Sequence, residues 1–388
     1  MTWDVVIYCP DTHILYDATL PDQRGVGGGL MARLRLAQAL ARGGHRVTVI
    51  ANVSRPHVHA GVTYLPLDQA DRRRTTDVLI LVSSGGALSL EPALELSIQA
   101  SLRKVWVHGF APIRGLDRLP FDFIIPCSNF ILDVIRREWG LAERPAFVIY
   151  NGFPKLPGLS RIRSLFHRRD PFRLIYTSHP SKGLETALAV LDRLRARDPR
   201  YHLYVFGGDA LYGGRDTPLP RHPGVTYMGT RGQPQVLRAL QRSAVAILLQ
   251  DRPEPFGMVL TEAMYYGAIP VASPVGAYPE IIRHGWNGFL ISGDHRSEEV
   301  RSEAAECIHR LTQQPDWADT IRRNARQIPW DWDTQARVWV DHWTWVLRGE
   351  GHCLEARACT VCGGRLLQTA DGPHCVSCGR YFPYETLT

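Results

Sequence analysis

The chain has 388 residues, 45% of them apolar, and carries 45 Lys and Arg against 38 Asp and Glu, a net charge of +7. Its length and apolar share suit two or three domains with sizeable cores, and its longest apolar runs are strand length, which excludes a membrane-spanning helix. The basic residues fall in short clusters, Arg72 to Arg74, Arg161 to Arg169 and Arg322-Arg323, without the interleaved aromatics of a nucleic-acid stripe; they point to solvated faces or to affinity for phosphates or an anionic membrane surface.

Met1 leads directly towards a strand, so no signal peptide is expected. The expected location is a reducing cytoplasm, with a peripheral place at the inner membrane face possible, and the eight cysteines are expected as free thiols or metal ligands.

In chain order, Val5 to Cys9 reads as a buried strand. After a polar loop comes Gly25-Val-Gly-Gly-Gly29, then a helical pattern on Leu30, Leu34, Ala37 and Leu40 that stops at Gly43-Gly44. Further strands are expected over Val47 to Ala51, Val78 to Val82, Val105 to His108, Phe123 to Pro126 and Phe147 to Tyr150. Short apolar runs separated by helical or polar stretches describe a parallel sheet covered on both faces. A basic, Pro/Gly-rich linker is expected over residues 153–171.

The alternation then restarts. Strands are expected at Arg173 to Thr177, Tyr201 to Phe206, Val225 to Met228, Ala244 to Leu249, Ile269 to Ala272 and Gly288 to Ile291. Gly183 to Leu194 and 298–328 read as helical, and Trp330 to Leu347 as a Trp-rich amphipathic helix. The reading is α/β: a first Rossmann-like domain over 1–152, a second over 172–328, a cleft between them, a helix at 329–348 returning to the first, and a small C-terminal module over 354–388.

The segment Glu254-Pro-Phe-Gly-Met-Val-Leu-Thr-Glu262 carries the most chemistry. It places Glu254 in the loop at a strand's carboxyl end, where ligands of open α/β sheets bind, and Glu262 inside the following helix. Eight helical residues span about 12 Å, so the two carboxylates do not act on one atom, but they can hold two ends of an extended ligand. Glu254 also suits a helix cap, and Glu262 an ordinary helix surface. The loop at Gly25 to Gly29, including Gly27 and Gly28, lets backbone N–H groups approach a phosphate, or is a flexible turn. His108 stands at a strand's carboxyl end as a substrate or structural residue. Lys182-Gly183 opens a helix, where a cation suits a diphosphate or simply faces solvent.

These motifs resemble those of the GT-B retaining glycosyltransferases of the family four (group 1) type. The E-x7-E string, the run from Glu262 to Ala272, the loop Pro274 to Glu280, the turn His284 to Gly288 and, earlier, Gly27-Gly28, His108-Gly109, Cys127-Ser128 and Tyr150 to Gly152 occur in that family's order. The resemblance covers residues 1–347. It implies that Glu254 and His108 contact a donor sugar, Glu262 the nucleotide ribose, Gly27, Gly28 and Lys182 the diphosphate, and the backbone of Phe256, Gly257, Met258 and Val259 the sugar. It implies transfer from a UDP- or GDP-linked sugar to a glycan, a lipid-linked acceptor or a small glycoside, with retained configuration and no catalytic metal. One departure stands out: Thr177 lies where the family usually places Gly-Arg before Lys182.

Cys359-x2-Cys362 and Cys375-x2-Cys378, each followed by glycine, form a four-thiolate set for one structural zinc, with a disulfide module or a rubredoxin-like iron site as alternatives. A zinc-ribbon nucleic-acid reader is disfavoured, because only Arg365 stands between Cys359 and Cys378 as a basic Lys or Arg. The ribbon is expected to be removable from Leu354 onward without loss of nucleotide binding. A non-catalytic protein of the same fold, with the ribbon as its docking module, is the rival reading.

Overall fold

The computed structural model describes residues 1–16, 18–84, 87–156, 169–212 and 214–384. Most of the expected linker, the basic run from Arg161 to Arg168 and the last four residues of the C-terminal module lie outside them. The described chain divides into two compact units: residues 1–18, 28–152 and 329–388 form the first, and residues 19–27 with 153–328 the second.

The first unit is built on a seven-stranded sheet. Its strands are β1 (Asp4–Tyr8), β2 (Arg46–Ala51), β3 (His57–His59), β4 (Val62–Pro66), β5 (Thr75–Val82), β6 (Gln99–Val107) and β7 (Phe123–Pro126). They lie in the order β3-β4-β2-β1-β5-β6-β7. All pairings are parallel except the β3–β4 hairpin, an addition that the sequence reading lacked. The central strands are apolar on both faces: Val5, Val6, Ile7, Val78, Ile80 and Val105 are fully buried, as strands between two helical layers must be.

A short helix, α1 (Leu20–Gln23), stands in what reads as a polar loop, and its segment packs with the second unit. The glycine run leads into α2 (Gly28–Arg42), buried almost all round. Next comes α3 (Asn129–Glu138), capped by Ser128, whose hydroxyl accepts from the Ile131 N–H.

The segment Phe147 to Tyr150 is not a strand. Phe147 and Ile149 donate to the carbonyls of Ile124 and Pro126 in β7, but the Val148 N–H turns the other way, to the carbonyl of Gly379. The outer edge is therefore met by the C-terminal module.

The second unit carries a six-stranded parallel sheet: β8 (Asp170–Thr177), β9 (His202–Phe206), β10 (Val225–Gly229), β11 (Ser243–Leu248), β12 (Ile269–Ala272) and β13 (Phe289–Leu290), in the order β10-β9-β8-β11-β12-β13. Its helices are α4 (Leu184–Arg197), α5 (Gln233–Arg242), α6 (Met258–Tyr266), α7 (Tyr278–Ile281), α8 (Glu298–Gln313) and α9 (Pro315–Ala325). Its core gathers Leu174, Val190, Leu191, Leu203, Ile247, Val271 and Ile308. The turn at His284 to Gly288 is structural: fully buried Asn287 accepts from the Arg283 N–H and donates to the Ile281 carbonyl.

The final helix, α10 (Trp332–Arg348), belongs to the first unit. Asp331 caps it, accepting from the backbone N–H groups of Asp333 and Thr334. Its Trp339 and Trp343 are buried, and both lie within cation–π range of Lys104. The Lys104 ammonium lies 2.5 Å from His342 Nδ1. Burial pushes the pKa values of both groups well down. A three-stranded antiparallel sheet, β14 (His352–Ala358), β15 (Arg365–Thr369) and β16 (Gly372–Cys375), ends the described chain. Among the described residues no helix is long and apolar enough to cross a membrane.

Candidate active site

Both sheets reverse their strand order at one place, and the chemistry gathers there. In the second unit the chain leaves β8 towards β9 and β10, then returns to the other side of β8 as β11. The loops after β8 and β11 thus meet over a topological switch point, where open α/β sheets bind ligands. Lys182 comes from the first loop and Glu254 from the second. Their side chains form an ion pair of 2.7 Å, 23% and 13% exposed. Gln250 adds a bond of 3.3 Å to the same carboxylate oxygen.

Two glycines make this meeting possible. Gly183 has φ +92°, and a Cβ there would stand 1.9 Å from the Leu249 carbonyl oxygen, so a side chain would push Lys182 away from the β11 loop. Gly276, at φ +58°, presses on the backbone of Glu254, with a virtual Cβ 2.2 Å from its carbonyl oxygen. That carbonyl accepts from the Ala277 N–H at 3.0 Å, tying the β12 loop to the β11 loop.

Phe256 and Gly257 are buried, and Gly257 caps α6 against the ring of Tyr278. Met258 and Val259 form the first turn of α6, whose dipole favours negative charge there. Glu262 lies one turn further in. It is 7% exposed and accepts from Gln233 Nε2 at 2.7 Å. Gln233, at the start of α5, is a partner the sequence did not signal, because nothing in the local pattern tells which face of α6 meets α5.

In the first unit the equivalent reversal lies between β1 and β5. Asp11, after β1, accepts from Arg33 of α2 at 2.8 Å and from Ser83 Oγ and the Ser84 N–H at 2.8 and 2.9 Å. The Asp11 carboxyl is held below its usual range by Arg33 and these bonds, against the opposing effect of burial. Sequence reading passed over this cluster, since Asp11, Arg33 and Ser83 are remote in the chain and form no motif.

His108 follows β6. Its Nε2 lies 3.3 Å from Asn151 Oδ1, and its Nδ1 is secluded from solvent without a partner among the described residues. Burial and the charge of Arg33 push the pKa down to about 3, from an ordinary 6.5. The unfolded chain takes up a proton below pH 6.5 while the folded chain does not, so His108 costs stability as pH falls from about 6.5 towards 3 and nothing above 6.5. His108→Asn is therefore expected to flatten the fall of melting temperature between pH 6.5 and 4.5. Identical slopes in the two proteins would refute a neutral, buried imidazole.

Gly28 opens α2 in the first unit, whereas Gly27 closes the segment 19–27 that packs with the second.

The four ribbon cysteines converge. Their sulfurs all lie within 4.8 Å of one another, with Cys359–Cys378 and Cys362–Cys375 at 3.6 and 3.5 Å. A tetrahedral zinc with Zn–S bonds of about 2.3 Å sets S···S edges of about 3.8 Å, so this set fits one metal ion. Backbone N–H groups of Val361 and Cys378 point at the Cys359 and Cys375 sulfurs, as thiolate ligands require.

Two α/β units, each with one switch point in its sheet, are the fold of the GT-B glycosyltransferases. Residues 169–328, the second unit's main body, match the family model "Glycosyl transferases group 1". Among curated relatives, the chain is 27% identical to a glycogen synthase of Mycobacterium tuberculosis over 239 residues, 59% of this chain and 55% of that protein. It is 31% identical to a D-inositol 3-phosphate glycosyltransferase of Actinosynnema mirum over 173 residues, 40% of each. The chain thus spans about half the length of the curated relatives it matches. A sucrose-phosphate synthase from Thermosynechococcus elongatus shares the fold, with TM-score 0.64 and 17% identity over 89% of this chain and all of that one.

Proposed function

We propose that the chain is a retaining glycosyltransferase that moves a sugar from a nucleotide diphosphate, UDP- or GDP-linked, to an acceptor hydroxyl on a glycan, a lipid-linked acceptor or a small glycoside. The observation that carries this reading is the Lys182–Glu254 pair over the switch point of the unit that matches the family model. In this reading Glu254 and His108 hold the sugar, Glu262, fixed by Gln233, holds the ribose, and Gly27, Gly28 and Lys182 face the diphosphate. Backbone groups of Phe256 to Val259 complete the sugar contacts.

The bond from the anomeric carbon to the diphosphate oxygen breaks, and its electron pair leaves with the diphosphate. The acceptor oxygen bonds to the same face of that carbon, and its proton passes to a phosphate oxygen. Retaining hydrolases instead place two carboxylates about 5 Å apart around the anomeric carbon; here the second motif carboxylate, Glu262 on α6, is engaged by Gln233. The protein's part is orientation and stabilisation of the leaving charge. Zinc is assigned to the four ribbon cysteines as a structural ion, since four thiolates leave no open position. A place at an anionic membrane face rests on the net charge of +7.

Because leaving-group charge grows towards the transition state, Lys182→Ala is expected to lower the rate of nucleoside diphosphate release about 100-fold, with a smaller effect on donor affinity. Donor, acceptor and protein incubated together, with nucleoside diphosphate release as readout, separate transfer from mere binding. Absence of release across UDP, GDP and ADP sugars would favour a non-catalytic binding protein of this fold, a rival to which the Thr177 substitution lends weight.

A further inference from the structure

The diphosphate end of the proposed site has an unbalanced charge account. Lys182 is neutralised by Glu254 at 2.7 Å. His179, in the same loop, has Nε2 2.9 Å from Asp209 Oδ1 and Nδ1 3.2 Å from the Ser181 nitrogen. Each of these side chains is thus engaged by a carboxylate, which weakens the positive charge it presents to a departing diphosphate. The start of α4 adds only the partial charge of a helix dipole.

The loop after β11 supplies another cation. Arg252 stands two residues before Glu254, exposed, and its Nη1 donates to Ser181 Oγ at 3.1 Å. Ser181 Oγ lies 2.7 Å from His179 Nδ1, and Ser181 directly precedes Lys182. Asp209, His179, Ser181 and Arg252 thus form one hydrogen-bonded chain along the rim that ends beside Lys182. Among the described residues no carboxylate pairs with Arg252, in contrast to Arg296, whose guanidinium is taken by Asp251 at 2.7 Å.

We propose that Arg252 is the second diphosphate-binding cation of this chain, held at the rim by Ser181 and supplied from the β11 loop in place of an arginine before Lys182. The proposal rests on the transferase reading above. A guanidinium binds phosphate oxygens through two parallel N–H donors, and one bond to a serine leaves donors for that purpose. The expected ligand is the diphosphate of a nucleoside diphosphate or its sugar, not the base or the ribose.

Calorimetry with UDP, GDP, ADP and the three parent nucleosides tests this on the full chain. Arg252→Ala is expected to weaken the diphosphate that binds wild type by about tenfold or more and to leave the matching nucleoside unchanged. Arg252→Lys should recover only part of the loss, because an ammonium cannot offer the paired donors. Arg252 is exposed, so the variant should melt within about 2 °C of wild type. Unchanged diphosphate affinity in Arg252→Ala would overturn the assignment alone. Equal losses for diphosphate and nucleoside would also overturn it, by showing a general disturbance of the loop. Failure of the wild-type chain to bind any of the three diphosphates would overturn the transferase reading and this assignment with it.

Discussion

Removing the metal proposed at the four C-terminal cysteines, or deleting residues 354–388, is expected to destabilise the first Rossmann-like unit by ~10 °C or more in melting temperature. The sequence presents the ribbon as a detachable module, but the structure places it inside that unit's packing. Tyr381 is 1% exposed, and its hydroxyl accepts from Trp330 Nε1 at 2.8 Å. Its backbone exchanges two hydrogen bonds with the Asn129 side chain on α3. Arg136 donates to the Cys378 carbonyl, and Arg380 pairs with Asp133. His374 stacks between Phe147 and Tyr381, with centroids 4.6 and 4.3 Å away.

Losing this cover would bare Phe147, Tyr150 and Trp330, which are at most 1% exposed, at about 1.5–3 kcal/mol for each large side chain. A unit of this size loses roughly 2–4 °C per kcal/mol. A module of this length folds only with its metal, so chelation under reducing conditions should act like deletion. Gly379→Ala offers a check that keeps all four thiols: the added Cβ would fall 2.2 Å from the Ala146 carbonyl oxygen, and it should lower the melting temperature as well. The proposed nucleoside diphosphate affinity, with Lys182, Glu254 and Glu262 all in the second unit, should persist in the fraction that stays folded. A chelated protein that melts within about 2 °C of the intact one would refute the metal-held ribbon.

Glu254→Gln and Glu262→Ala are expected to fail in opposite ways. Neutralising Glu254 removes the proposed sugar contact and releases Lys182 from its ion pair. Transfer should fall by roughly 1,000-fold, while nucleoside diphosphate affinity holds or rises, because the rim loses one negative charge. Glu262→Ala removes the proposed ribose contact and the buried hydrogen bond from Gln233. Nucleotide affinity should fall about tenfold or more, with a smaller effect on the rate at saturating donor. Calorimetry with the nucleoside diphosphate, together with initial rates, separates the two. Equal losses of nucleotide affinity in both variants would defeat the division of labour between the ends of the ligand.

Local sequence pattern determined most strands of the two large sheets, the long helices and the cysteine pairs of this protein. Strand β11, the glycine-flanked helix α6 and the two Cys-x2-Cys-Gly turns are each written within a few consecutive residues, where hydrophobic period and turn chemistry act directly. The position of Glu254 at a strand's carboxyl end follows from the same pattern. What only the tertiary structure decided are the meetings across the chain. Lys182 and Glu254 lie 72 residues apart, Gln233 and Glu262 29 apart, and Asn129 and Tyr381 252 apart. Strand order brings the first pair together, helix packing the second, and the ribbon's seat on α3 the third. Phe147 to Tyr150 has the composition of a strand, and its outer edge meets Gly379 of the C-terminal module, a partner no local pattern names. A residue's partner is set by which surfaces the sheet order leaves adjacent, and that order is a property of the whole packed unit.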